Sequence, residues 1–136
     1  MKKIPFYLIF ALSIVLGIYF IYKGFTRNLI PPCRVYDETS TLPIHYRNLN
    51  DALCQSGFMK IIGALEVLSG LLLVFPKTRL LGNILLMPVI ITIFLFHAII
   101  DNRPHELVET GIPLLINVLI FAYYYPKWKD LLWIKD

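Results

Sequence analysis

Four long apolar stretches, Ile4–Tyr22, Met59–Phe75, Leu80–Ile100 and Leu107–Tyr125, occupy most of the chain and leave it few ways to fold. The first and third are each about 20 residues, enough for a helix to cross a hydrocarbon core of roughly 30 Å, and the other two need their flanks. Of the 136 residues 57% are hydrophobic and 16% charged, against about 25% charged in soluble domains. A soluble fold would need polar outer faces that these runs do not supply. The expected class is an all-α integral membrane four-helix bundle with antiparallel neighbours. It forms one domain over residues 1–136, with helices near 4–23, 57–75, 80–100 and 106–125 and a long external loop, 24–56, between the first two.

Lys2 and Lys3 precede the first run as in a secretion signal. That run is longer than a signal's apolar region of about 7–15 residues, and no small-x-small cleavage site precedes Lys23, so the segment is read as retained. Pro5 falls in its first turn, where the missing donor costs little. Pro76–Arg79 and Asp101–Glu106 are short turns, and the tail Pro126–Asp136 carries Trp128 and Trp133 among lysines. An even number of crossings puts both termini on one side. Lys2, Lys3, Lys77, Arg79, Lys127, Lys129 and Lys135 are concentrated in short segments there, whereas the cations of the other side are spread over the long loop among acids. The positive-inside rule then gives a multi-pass protein of the inner (cytoplasmic) membrane, both termini cytoplasmic and loop 24–56 external or periplasmic. The +4 charge is a topology signal, with no basic stripe interleaved with aromatics, so no nucleic-acid partner is expected. Soluble-enzyme signatures are missing from the sequence, and His45, His97 and His105 are not spaced as metal ligands, so no metal is expected.

Cys33 and Cys54 share the external loop. In an oxidising compartment a disulfide closing about 20 residues would contribute on the order of 3 kcal/mol. Unpaired thiols and a redox-active pair remain alternatives. Glu66 lies inside the second apolar run, where an unpaired carboxyl costs several kcal/mol, so it is expected to face the bundle interior. Gly63, Ser69 and Gly70 share its face and let another helix approach closely. At about 1.5 Å per residue Glu66 lies roughly 13 Å deep, level with Thr92 and a little above Asn117, so these three are candidates for one buried polar layer. Its role is either functional or that of a protonated hydrogen-bonding group between helices. Pro88 and Pro113 interrupt the third and fourth helices. Nearer the surface Lys60, His97 and Asp101 form a candidate outer-side polar cluster, His97 and Asp101 being four residues apart on one helical face. A proton relay and a plain interfacial histidine beside a helix-end acid both fit.

The segment Gly57–Pro76, with Gly63, Glu66, Gly70 and Leu71, followed by Thr78-Arg79-Leu80-Leu81-Gly82, resembles the central signature of the DoxX-like membrane proteins. Gly17, Lys23-Gly24 and His97 are similar to positions in that family's first and third helices. The resemblance implies a four-helix transmembrane bundle and a range of roles: subunits of membrane oxidoreductases that deliver electrons to quinone, associates of thiol redox partners, and assembly factors. It carries Glu66 over only as the family's buried acid, and no catalytic set. The leading reading is a small non-catalytic subunit or accessory factor of a membrane complex, with the lipid bilayer and other membrane subunits as partners and no cofactor. The alternatives are a redox-associated protein using quinone or Cys33 and Cys54, and a binding site or carrier for a small lipophilic ligand around Glu66. That last alternative requires a lined cavity reaching Glu66.

Overall fold

The computed structural model describes residues 3–131. Lys2, Trp133, Lys135 and Asp136, which enter the charge and aromatic readings, lie outside the described residues. The described residues are helical and turn, with no strand. Helix α1 spans Lys3–Lys23 and continues as a wider, π-type helix over Gly24–Leu29. Helix α2 is Ile44–Gln55, α3 Phe58–Val74 and α4 Arg79–Phe96, which widens into a π-type end over His97–Asp101. Helix α5 is Pro104–Tyr123, and a short α6, Tyr125–Trp128, ends in a 3₁₀ turn. Three segments are long and apolar enough to cross a membrane: Lys3–Leu29, Arg79–Asp101 and Pro104–Tyr123. The bent pair of α2 and α3 makes a fourth if counted as one span.

Two departures from the sequence reading matter for function. The stretch 24–56 is not a plain loop: its first residues prolong α1, and α2 occupies its last third. Helix α2 meets α3 at an angle of 80°, with Gly57 at the corner in the left-handed region (φ 82°), a conformation glycine adopts without steric cost. Arg79, counted above with the surface cations, is 2% exposed. Its Nε donates to the Leu73 carbonyl at 3.2 Å, and its guanidinium lies 4.9 Å from the Phe10 ring centroid. The cause is local. The last carbonyls of α3 have no helical partner, and the tight turn folds Arg79 and Thr78 back onto them, Thr78 Oγ1 donating to the Leu72 carbonyl at 2.9 Å.

The four long helices pack in sequence, α1 on α3, α3 on α4 and α4 on α5, and α5 closes back on α1. The closest approach is made by glycines. A Cβ added at Gly17 would come within 2.6 Å of the Gly70 carbonyl, and one added at Gly70 within 2.6 Å of the Gly17 carbonyl. One turn-pair away, a Cβ on Gly24 would lie 2.8 Å from the Gly63 carbonyl. As one index rises the other falls, so the helices cross antiparallel with backbones in contact. Inside, the buried apolar residues such as Leu16, Phe20, Leu73, Leu86, Ile90 and Ile120 are matched in number by buried polar ones. Outward faces carry Val15, Ile18, Leu68, Leu95, Leu115 and Leu119, all at least 44% exposed.

Gly70→Ala is therefore expected to destabilise the fold by ~1–3 kcal/mol, the usual cost of overpacking. Gly111→Ala is the control, because its Cβ would meet only the Phe94 ring, at 3.4 Å. Thermal unfolding in detergent, followed by circular dichroism, checks the pair; equal melting temperatures would count against a backbone-contact crossing.

Candidate functional site

At the end of the bundle roofed by α2 lies a cavity of about 500 Å³, within the roughly 300–1,000 Å³ of small-molecule sites. The prolonged end of α1 contributes Lys23, Arg27 and Asn28, and α3 contributes Met59, Ile62 and Glu66. Thr92, Ile93, Phe96 and His97 come from α4 and its π-type end, while Arg103, Glu106 and Glu109 come from the start of α5. Tyr46, Asn50 and Cys54 of α2 face it from above.

Glu66 is fully buried (0% exposed). Its Oε2 accepts a hydrogen bond from Asn28 Nδ2 at 2.5 Å, and its Oε1 has no partner. Thr92 is exposed on its helix yet borders the same cavity, its hydroxyl donating to the Pro88 carbonyl at 2.7 Å. Asn117 is buried elsewhere, against Asn83: Asn83 Nδ2 donates to Asn117 Oδ1 at 2.6 Å, and Asn117 Nδ2 to the Asn83 carbonyl at 3.3 Å. The single layer expected from depth thus resolves into two polar pairs, because equal depth does not fix which way each helix faces.

Around the cavity the charges are largely paired. Arg27 reaches Glu109 at 3.1 Å, tying the end of α1 to α5. Arg103 Nε donates to Asp101 Oδ1 at 2.5 Å, and its Nη2 lies 3.5 Å from Glu106. That hydrogen bond to Asp101 raises the Arg103 pKa further above its ordinary value, so the guanidinium remains charged. His97 Nδ1 lies 2.9 Å from Asp101 Oδ2; an ionised Asp101 only accepts, which puts the imidazole proton on Nδ1. Lys60 is exposed and takes no part in this network. Its place is filled by Arg103 and Glu106, which the sequence offered only as turn charges. Among the described residues no group of three His, Cys, Asp or Glu side chains is placed to hold a metal ion.

The roof is fastened at both ends. Cys33 and Cys54 are joined, with Cα atoms 5.7 Å apart. Tyr46 docks on the network, its ring 5.3 Å from the Arg103 guanidinium and 5.2 Å from the Phe96 ring. Sequence reasoning missed Asn28, Lys23 and Arg27 as site residues because the polar run after Tyr22 reads as loop. The available signal was the spacing of Gly17 and Gly24, which extends the small-residue face of α1 past its apolar run. Comparisons of the chain with protein-family models, with curated proteins and with solved structures find no match.

Non-reducing mass spectrometry of protein alkylated at lysis should find the Cys33–Cys54 linked peptide; free thiols at both positions would remove the fastening. Glu66→Gln should retain the fold, since an amide oxygen still accepts from Asn28. Glu66→Leu leaves Asn28 without that partner and should cost ~1–3 kcal/mol in denaturation, and an unaffected Leu variant would refute the pairing.

Proposed function

We propose that this protein is an integral membrane four-helix bundle that binds a small amphipathic ligand in the cavity beneath α2. The single observation that carries the reading is the cavity of about 500 Å³ reaching the buried Glu66. The space is lined on one side by charged groups and on another by Ile62, Ile93 and Phe96, the combination by which pockets hold small amphipathic molecules. A purely structural subunit has no use for such a lined space, so the cavity favours binding over the accessory-subunit reading, which short turns and scant polar surface would otherwise suit.

The membrane reading is supported by the inverted distribution of side chains, polar groups inside and aliphatic ones outward, which hydrocarbon accepts and water does not. The likeness to the DoxX-like family belongs to the same proposal, resting on Gly63, Glu66 and Gly70, which serve the α1–α3 crossing. The inner membrane, with both termini cytoplasmic and α2 external, follows from Lys3, Lys77, Lys127 and Lys129 in short segments at one end of the bundle.

Two measurements test this. In intact cells a membrane-impermeant maleimide should modify Glu38→Cys and leave Lys77→Cys untouched; the reverse pattern would invert the topology. Native mass spectrometry of gently solubilised protein should show a small-molecule adduct that is weakened in Ile62→Trp, whose indole takes up part of the apolar wall of the cavity. A bare chain in both proteins would sink the binding reading.

A further inference from the structure

The charges on the cavity wall do not all cancel, and the remainder indicates what the ligand carries. Arg27 is paired with Glu109, and Arg103 with Asp101 and Glu106. Among the described residues two lining cations are the exceptions, the exposed Arg34 and Lys23. Lys23 is half-buried at the end of α1, lines the cavity, and is held over aromatic faces, its Nζ 5.7 Å from the Tyr19 ring centroid and 6.0 Å from that of Phe20. Glu66 lies across the α1–α3 crossing from the next residue, a Cβ on Gly24 coming within 3.2 Å of the Glu66 Cβ. Even so, the Lys23 and Glu66 side chains form no ion pair: the Glu66 Oε2 accepts from Asn28, and its Oε1 has no hydrogen-bond partner.

An ammonium has three donors, and aromatic faces satisfy its charge only in part. In a partly dehydrated site it draws an anion far more strongly than it would in water. Ile62, Ile93 and Phe96 supply an apolar wall in the same cavity. Resting on the binding reading above, we infer that the ligand is a small anionic amphiphile, with a single carboxylate, sulfonate or phosphate head on Lys23 and a short apolar body along that wall. A cavity of about 500 Å³ suits one such body and not a two-chain phospholipid.

The test uses full-length protein in nanodiscs of zwitterionic lipid, titrated calorimetrically with octanoate, octylammonium and octanol, with empty nanodiscs subtracted for partitioning. These probes share a tail and differ in the head. Octanoate should bind saturably and the other two at least about tenfold more weakly, the scale of one charge-assisted contact. Lys23→Met should lose about tenfold in octanoate affinity, and Lys23→Arg should keep most of it. Octylammonium or octanol binding as well as octanoate would overturn the anion assignment and leave the cavity reading intact. Failure of all three probes would remove both. The comparison of heads on the unmodified protein stands even if Lys23→Met does not fold.

Discussion

The backbone contact between the first and third helices fixes where the polar end of α1 meets the buried Glu66. With Gly17 on Gly70 and Gly24 on Gly63, the antiparallel register is set at two points seven residues apart on each helix. At both points a glycine meets the opposite backbone, so the end of α1 is laid over Glu66. Asn28 then falls within hydrogen-bond reach of the carboxyl, and a Cβ on Gly63 would lie only 2.7 Å from the Asn28 Cβ. Larger residues at these glycines would hold the helices further apart, and the Asn28–Glu66 bond would be the first to go.

A bundle fastened this way needs little apolar core, which explains how polar groups come to fill its middle. In the membrane reading lipid is as apolar as leucine, so burying leucine between helices gains little, and packing and hydrogen bonds must hold the helices together. Asn83 and Asn117 do this for α4 and α5 by reciprocal bonds, worth ~1 kcal/mol each in comparable settings. Ser13 and Thr110 meet the same demand locally, bonding back to the carbonyls of Ile9 and Glu106.

The apolar runs made the four long helices legible, because hydrophobic length needs no knowledge of partners. Glu66 was legible for the opposite reason: a charge-bearing group where none is affordable must face inward. What the sequence hid was pairing. Thr92, Asn117 and Glu66 have similar depth, but depth is one coordinate, and the rotation of each helix is set by contacts such as Gly82 against the Ser69 carbonyl that no single segment encodes. Arg79 was misjudged for a related reason, since a basic residue in a turn reads as solvated until the free carbonyls of the preceding helix are counted. Helix α2 was missed because its composition is polar, and the contacts that hold it, Tyr46 on Arg103 and Phe96 and the Cys33–Cys54 disulfide, join it to distant segments.

The cavity itself arises where two helices stop being α-helical. Residues five apart lie about 140° round an α-helix, at 3.6 residues per turn. In the widened end of α1 the Ile30 amide bonds to the Phe25 carbonyl, and in that of α4 the Asn102 amide bonds to the His97 carbonyl, each five residues back. A turn that closes over five residues brings such residues back to one side, so Lys23 and Asn28 both line the cavity. In α4 the same widening carries the chain to Asn102, left-handed at φ 48°, which reverses it into α5 and sets Arg103 on Asp101. Both distortions occur at the same end of the bundle, beneath the same roof. Widened turns are less favourable than the α-helix and recur at functional sites; here each supplies polar groups to one space. The glycine crossing runs into this region: Gly24, against the Gly63 carbonyl, is the first residue of the widened end of α1, so the contact that packs α1 on α3 also anchors the distorted turn.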